Sequence, residues 1–215
     1  MGTFVTQKFR AQGSHVVGAS RRITQQDYPA TNFTALELDF TDANGVRVAV
    51  ESVIAKFGRL DVLVHVLGGF AGGKSIADTD DATWAQMRDL NLSTAFYVLH
   101  AAIPYLRKSG RGRVIAIDSL AATDLHAGIG GYVTFKSALS MLVSTVALEN
   151  REAGLTANVI LPGTIDTPAN RRSMPDSDFS KWLQPDGVAA LALWLADEHA
   201  GHITGAILPI VGSNG

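Results

Sequence analysis

Arg113-Val114-Ile115-Ala116-Ile117-Asp118-Ser119, followed thirteen residues after the serine by Tyr132-Val133-Thr134-Phe135-Lys136, is the stretch on which the fold turns. Residues 113–117 are a short apolar run rich in β-branched side chains, which predicts a buried strand with Ser119 just past its carboxyl end. In open parallel sheets, ligands bind at that end. The four-residue step from Tyr132 to Lys136 is one helical turn and predicts that phenol and ammonium share a face, with Cβ atoms about 5–6 Å apart. A cation there favours phenolate, so the tyrosine pKa is expected to fall from about 10 toward working pH, as suits a proton donor to a carbonyl oxygen. Ser119 is placed to hydrogen-bond the same oxygen. A Tyr and a Lys one turn apart also occur by chance on solvated helices, and it is the strand before Ser119 that gives this pair its weight.

Outward from this stretch, apolar runs at 15–19, 62–66, 114–117 and 157–161 alternate with amphipathic stretches at 4–11, 42–57, 81–108, 132–150 and 184–196. Strand and helix in alternation predict an α/β fold with a parallel sheet covered on both faces. Asp80 or Asp81 is placed to cap the third helix, and Pro104 to kink it near its end. Residues 164–180, rich in Asp, Ser, Pro and Arg, are expected to form a mobile loop over a site. Two helices carry apolar side chains on more than one face, among them Phe96, Val98 and Leu99 in one and Leu139, Met141 and Leu148 in the other. Two such helices favour burial against a second subunit.

At 215 residues the chain is long enough for one domain with a substantial core. A net charge of −2, with 18% charged residues of interspersed sign, argues against nucleic-acid or membrane-surface binding and favours a small-molecule substrate. Cysteine is absent, which excludes disulfides, thiolate metal sites and cysteine nucleophiles and is compatible with a reducing cytosol. Neither a signal peptide nor a membrane span is expected, so the location is read as cytoplasmic. The six histidines show no i,i+4 pair beside a suitable carboxylate, and no metal site is expected.

Taken together, Asn91 in "DLNLSTAF", Ser119 in "IAIDSLAA", Tyr132 and Lys136 in "YVTFK", "LPGTIDTP" and "ITGAILPI" resemble the short-chain dehydrogenase/reductase family in order and spacing over nearly the whole chain. The resemblance implies a Rossmann-like, doubly wound parallel sheet in a single domain over 1–215, using NAD(H) or NADP(H). It implies that Tyr132 donates or accepts the proton, Ser119 orients the carbonyl, and Lys136 lowers the tyrosine pKa and binds the nicotinamide ribose. Asn91 would hold a water of the proton relay. Pro162, Gly163, Ile165 and Thr167 would hold the nicotinamide carboxamide, Asp39 and Phe40 would lie by the adenine, and Leu67 and Gly68 would line the cofactor. Residues 67–73 and 166–182 are similar to dihydropteridine reductase, a narrower likeness that points to a pterin-like substrate, although Ser119 keeps ordinary carbonyl reduction open. His65-Val66-Leu67-Gly68 stands where most of the family has Asn-Asn-Ala-Gly.

After the strand at 15–19 come Ser20, Arg21 and Arg22, with no carboxylate to accept the ribose hydroxyls of NAD. Guanidinium groups match a phosphate bidentately, so NADP(H) is favoured and NAD(H) remains possible. The family pattern breaks at Met1. A first strand and a Gly-rich turn are expected ahead of it, with Gly2 aligned to the last glycine of that turn, so the sheet is expected to lack its usual first strand and the helix N-terminus part of its phosphate-binding backbone. A start placed at an internal methionine, a cut boundary and a genuine loss all fit this pattern. Two functions follow: an oxidoreductase moving hydride between nicotinamide and a carbonyl, alcohol or pterin-like substrate, or a catalytically silent subunit with an incomplete dinucleotide site. A homodimer or homotetramer fits either.

Overall fold

The computed structural model describes residues 1–212. Its strands are β1 (Val16–Ser20), β2 (Phe33–Glu37), β3 (Val62–His65), β4 (Arg113–Ile117), β5 (Thr156–Pro162) and β6 (Ile207–Ile210). The helices are α1 (Gly2–Ala11), α2 (Ala43–Phe57), α3 (Asp81–Arg88), α4 (Thr94–Lys108), α5 (Gly130–Glu149), α6 (Pro168–Ser173) and α7 (Pro185–Ala196). All strand pairs are parallel, as alternation of strand and helix requires. Strands β4 and β5 are buried along their whole length, which is why they read as continuous apolar runs rather than as alternating ones. Pairing runs from Arg113↔Thr156 to Ile117↔Ile160, which brings the residues after both strands out at one edge.

Two apolar layers cover the sheet. On one face Leu99, Ala102 and Leu106 of α4 and Leu139, Val143 and Val146 of α5 pack with Val114, Ala116, Ala157 and Val159. On the other, Val5 and Phe9 of α1 and Val188, Ala192 and Leu195 of α7 pack with Ile115, Ile117 and Ile160. The alternation of Val114 and Ala116 with Ile115 and Ile117 between the two layers is the two-residue period of a strand.

Hydrogen bonding divides the sheet in two: β1 pairs with β2, and β3, β4, β5 and β6 pair in that order. Among the described residues no ladder joins β1 to β3. The two parts share a cluster instead, since Val16 of β1 and Val62 and Val64 of β3 all pack on the layer that α1 and α7 form.

Several boundaries differ from the sequence expectation for local reasons. The expected helix 81–108 is broken by a π-helical segment, Asp89–Ser93. Here the Asn91 side chain donates to the Met87 carbonyl at 3.0 Å, taking an acceptor the regular ladder would use. Pro104 sits inside α4, which runs on to Lys108. The expected loop 164–180 contains α6, started by Pro168 with Thr167 as its cap. Strands β2 and β6 went unread because each is short, and Pro209 lies within β6, tolerable at a sheet edge. Helix α5 is long and apolar enough to cross a membrane by length and composition alone. It is half buried and lies against β5, the behaviour of a core helix.

Candidate active site

Ser119 follows β4 directly and caps a short 3₁₀ turn, Leu120–Ala122, its Oγ accepting from the Ala121 N–H at 3.3 Å. That contact uses a lone pair and leaves the hydroxyl proton free to donate. Tyr132 lies in the first turn of α5, and the Phe70 ring meets it edge-on at 5.1 Å between centroids. Lys136, one turn later, is buried, with its Nζ 3.7 Å from Asp118 Oδ1.

Asn91 is fully buried in the π-helical segment. Its Nδ2 donates to the carbonyls of Gly69 and Met87, both at 3.0 Å, and its Oδ1 accepts from the Gly69 N–H at 3.1 Å. The side chain thus clamps the loop after β3 and keeps one lone pair of Oδ1 for a water. Gly68 is pressed into the same place. A Cβ there would stand 3.0 Å from both Asn91 Oδ1 and Lys136 Nζ, so glycine is what lets the loop approach them. The structure therefore brings Asn91 and Gly68 to Lys136, which lies one turn after Tyr132 on α5.

Electrostatics depart from the expected acidified phenol. Burial pushes the Tyr132 pKa up, Ser119 pulls it partway back, and the negative charge of Asp118 raises it further. The Lys136 charge is directed at Asp118, so it does not offset the desolvation of the phenol. Burial lowers Lys136 itself, with Asp118 opposing. Burial pushes Asp118 up to about 6, against the pull of Lys136 and of Ser140, whose Oγ donates to Oδ2 at 2.6 Å. His65, at the end of β3, is driven down to about 3 by burial and then by Lys136, and is neutral.

The remaining expected residues lie on loops at the carboxyl ends of the strands. Ser20 ends β1, and its Oγ accepts from the Arg22 N–H at 3.4 Å. Arg21 and Arg22 are exposed and form no ion pair among the described residues. Asp39, after β2, accepts from the Thr41 N–H and hydroxyl at 2.9 and 2.8 Å, which hold its carboxyl below the usual range; half-buried Phe40 follows it. Leu67 and Gly68 follow β3; Gly163 follows Pro162 at the end of β5 and donates to the Ile210 carbonyl at 2.9 Å. Ile165 pairs with Leu183 in an isolated bridge, and Thr167 Oγ1 accepts from the Asn170 N–H at 3.2 Å as the α6 cap. Gly2 opens α1 beside Val66. Sequence reasoning passed over Asp118, Ser140 and Phe70. A carboxylate ending an apolar strand was the available signal for Asp118.

Residues 1–212 match the family model described as enoyl-(acyl carrier protein) reductase. The chain is similar to the 3-oxoacyl-(acyl-carrier-protein) reductase FabG of Salmonella typhimurium, 28% identical and covering 99% of this chain and 91% of that protein. It is also similar to the L-fucose dehydrogenase of Bos taurus, 32% identical over 99% of this chain and 84% of that one. A solved short-chain type dehydrogenase/reductase from Mycobacterium ulcerans superposes with a TM-score of 0.91 at 26% identity, covering 97% of this chain and 83% of that chain. With the parallel α/β architecture and a family match over nearly its whole length, the chain belongs to the short-chain dehydrogenase/reductase family of oxidoreductases.

Proposed function

We propose that the protein reduces the carbonyl of a small apolar substrate with NADPH, or oxidises the corresponding alcohol with NADP. The observation that carries this reading is that Asn91 and Lys136 meet at Gly68, with Tyr132 one turn before Lys136 on α5 and Ser119 just past the end of β4. The residues fit the cofactor at two places. Gly68 leaves a cradle beside Lys136 and Asn91 that a Cβ would fill, and Arg21 and Arg22 are exposed cations, without an ion pair among the described residues, suited to a 2′-phosphate. Lys136 would hold the nicotinamide ribose, Pro162, Gly163, Ile165 and Thr167 the carboxamide, Asp39 and Phe40 the adenine, with Gly2, Ser20, Leu67 and Gly68 along the path between. Bound NADPH supplies the hydride.

The chain's own residues supply the rest. Ser119 donates its free hydroxyl proton as a hydrogen bond to the carbonyl oxygen. Tyr132, held protonated by burial, gives that oxygen a proton as negative charge develops on it. Exposed Phe70, Ile76 and Leu125 supply an apolar surface near the start of α5, and a cleft of about 120 Å³ lies there between Gly72, Thr83, Met87 and Ile129. These side chains favour a substrate with an apolar body; a pterin-like substrate is the narrower form of the reading. A homodimer or homotetramer using the exposed Phe96, Met141 and Leu148 of α4 and α5, a single domain over 1–215 and a cytoplasmic location complete it, residues 213–215 lying outside the described residues.

Absorbance of the reduced nicotinamide, followed with a panel of ketones and quinonoid dihydropterin, tests the reading. Tyr132→Phe is expected to lose about 10²-fold or more of the rate. An unchanged rate rejects this role for Tyr132. The lack of a ladder between β1 and β3 among the described residues favours a second reading, a catalytically silent subunit. Calorimetric titration separates the two: micromolar NADPH binding opposes the silent subunit, and no binding of either dinucleotide supports it.

A further inference from the structure

We propose that Asp118 is a positioning residue for the reaction, the buried counter-ion that keeps the Lys136 ammonium charged and fixed beside Gly68. The proposal deepens the reductase reading above and rests on it for its kinetic part alone. Both side chains are sealed from solvent, at 0% exposure for Asp118 and 5% for Lys136. The carboxylate is anchored twice. Its backbone N–H donates to the Ile160 carbonyl at 2.9 Å, continuing the β4–β5 ladder, and its Oδ2 is taken by the Ser140 hydroxyl at 2.6 Å. Oδ1 has no hydrogen-bond partner and faces Nζ at 3.7 Å.

A buried ammonium without a counter-charge loses its proton rather than bear the desolvation cost. Among the described residues Asp118 is the only carboxylate against Lys136. The other groups facing the pair are His65 from β3, Tyr132 and Ser140 from α5, Asn91 from the π-helical segment, and the backbone of Ser119. His65 has a buried Nε2 without a partner and stays neutral, so it does not compete as a cation. The Asp118 charge also keeps the Tyr132 phenol protonated. A protonated phenol near a charged ammonium is the resting state that proton donation to a carbonyl needs, and one carboxylate secures both halves of it.

The direct test is a 13Cε titration of the lysines in the whole free protein, with the Lys136 resonance assigned by its loss in Lys136→Met. Asp118→Asn is expected to lower the Lys136 pKa by about one unit or more, since an opposite charge at this range moves a pKa by about 1–3 units. Ser140→Ala keeps the carboxylate but removes a bond that holds its proton off, so it raises the Asp118 pKa and lowers Lys136 by less than Asp118→Asn does. Ser140→Ala also covers the case in which Asp118→Asn does not fold. In turnover, Asp118→Asn moves the alkaline limb of the carbonyl-reduction profile to lower pH, and Ser140→Ala moves the acid limb to higher pH. An unchanged Lys136 titration in the folded variants overturns the proposal. The titration needs no substrate, so absence of turnover by the unmodified protein rejects the reductase reading while the ion-pair result stands.

Discussion

Replacing Lys136 with methionine keeps most of the side-chain length and removes the charge, which exposes the linkage between Asp118 and stability. The folded Asp118 pKa of about 6 lies above the ordinary aspartate value of 3.8. For a carboxyl raised in this direction, the stabilising contribution is full below the unfolded pKa and is lost as pH rises through the folded one. In the unmodified protein that loss is therefore complete a little above pH 6. Lys136 is the largest influence holding the carboxyl down, so without it the folded pKa climbs further and the loss continues toward pH 8. Each unit of climb is worth about 1.4 kcal/mol, and a climb of about 1–2 units predicts an extra loss of about 1.4–3 kcal/mol between about pH 5 and pH 8. The side chain of Asp118 is 0% exposed, so solvent screening does not reduce this figure. The assay is urea unfolding by circular dichroism at both pH values for the unmodified protein, Lys136→Met, and Lys136→Met combined with Asp118→Asn. The double variant carries no charge at either position and is expected to lose the extra pH dependence. A Lys136→Met cost equal at the two pH values refutes the reasoning, whatever its absolute size.

Other outcomes follow from the same geometry. Arg21→Ala combined with Arg22→Ala should weaken NADPH binding about tenfold or more and leave NADH binding nearly unchanged, since each charge-assisted hydrogen bond is worth about 1.5–3 kcal/mol; titration calorimetry with both dinucleotides measures it. Gly68→Ala places a Cβ 3.0 Å from Asn91 Oδ1 and Lys136 Nζ, so turnover should fall about tenfold or more while the fold, followed by circular dichroism, is retained. Ile115→Ala, in the fully buried centre of β4, should cost about 2–5 kcal/mol in urea unfolding.

Much of the fold is legible because its signals are local. The runs at 114–117 and, apart from Asn158, 157–161 are apolar without alternation because both faces of β4 and β5 are covered, and Asp42 and Asp80 mark helix starts because an N-cap acts over two or three residues. Strand β2 lacked such a signal, being short with a mixed pattern, and the Thr167-Pro168 helix start was hidden in a polar stretch. The placement of Ser119, Tyr132 and Lys136 was equally accessible, since strand-end position and helical spacing are properties of one dimension.

What the chain alone determined is the family, the parallel α/β order, and the presence of a serine, a phenol and an ammonium in reach of one another. Only the tertiary structure decided which way burial and neighbouring charge push the phenol and the ammonium. Asp118 is eighteen residues from Lys136 and twenty-two from Ser140, and no local pattern couples them. Helix α5 packed on β5 seals the three away from water, and that desolvation directs the Lys136 charge to Asp118, raises Tyr132 and leaves His65 neutral. The π-helical turn at Asn91 and the division of the sheet between β1 and β3 have the same origin: each depends on which backbone groups meet in space, a property that spacing along the chain does not carry.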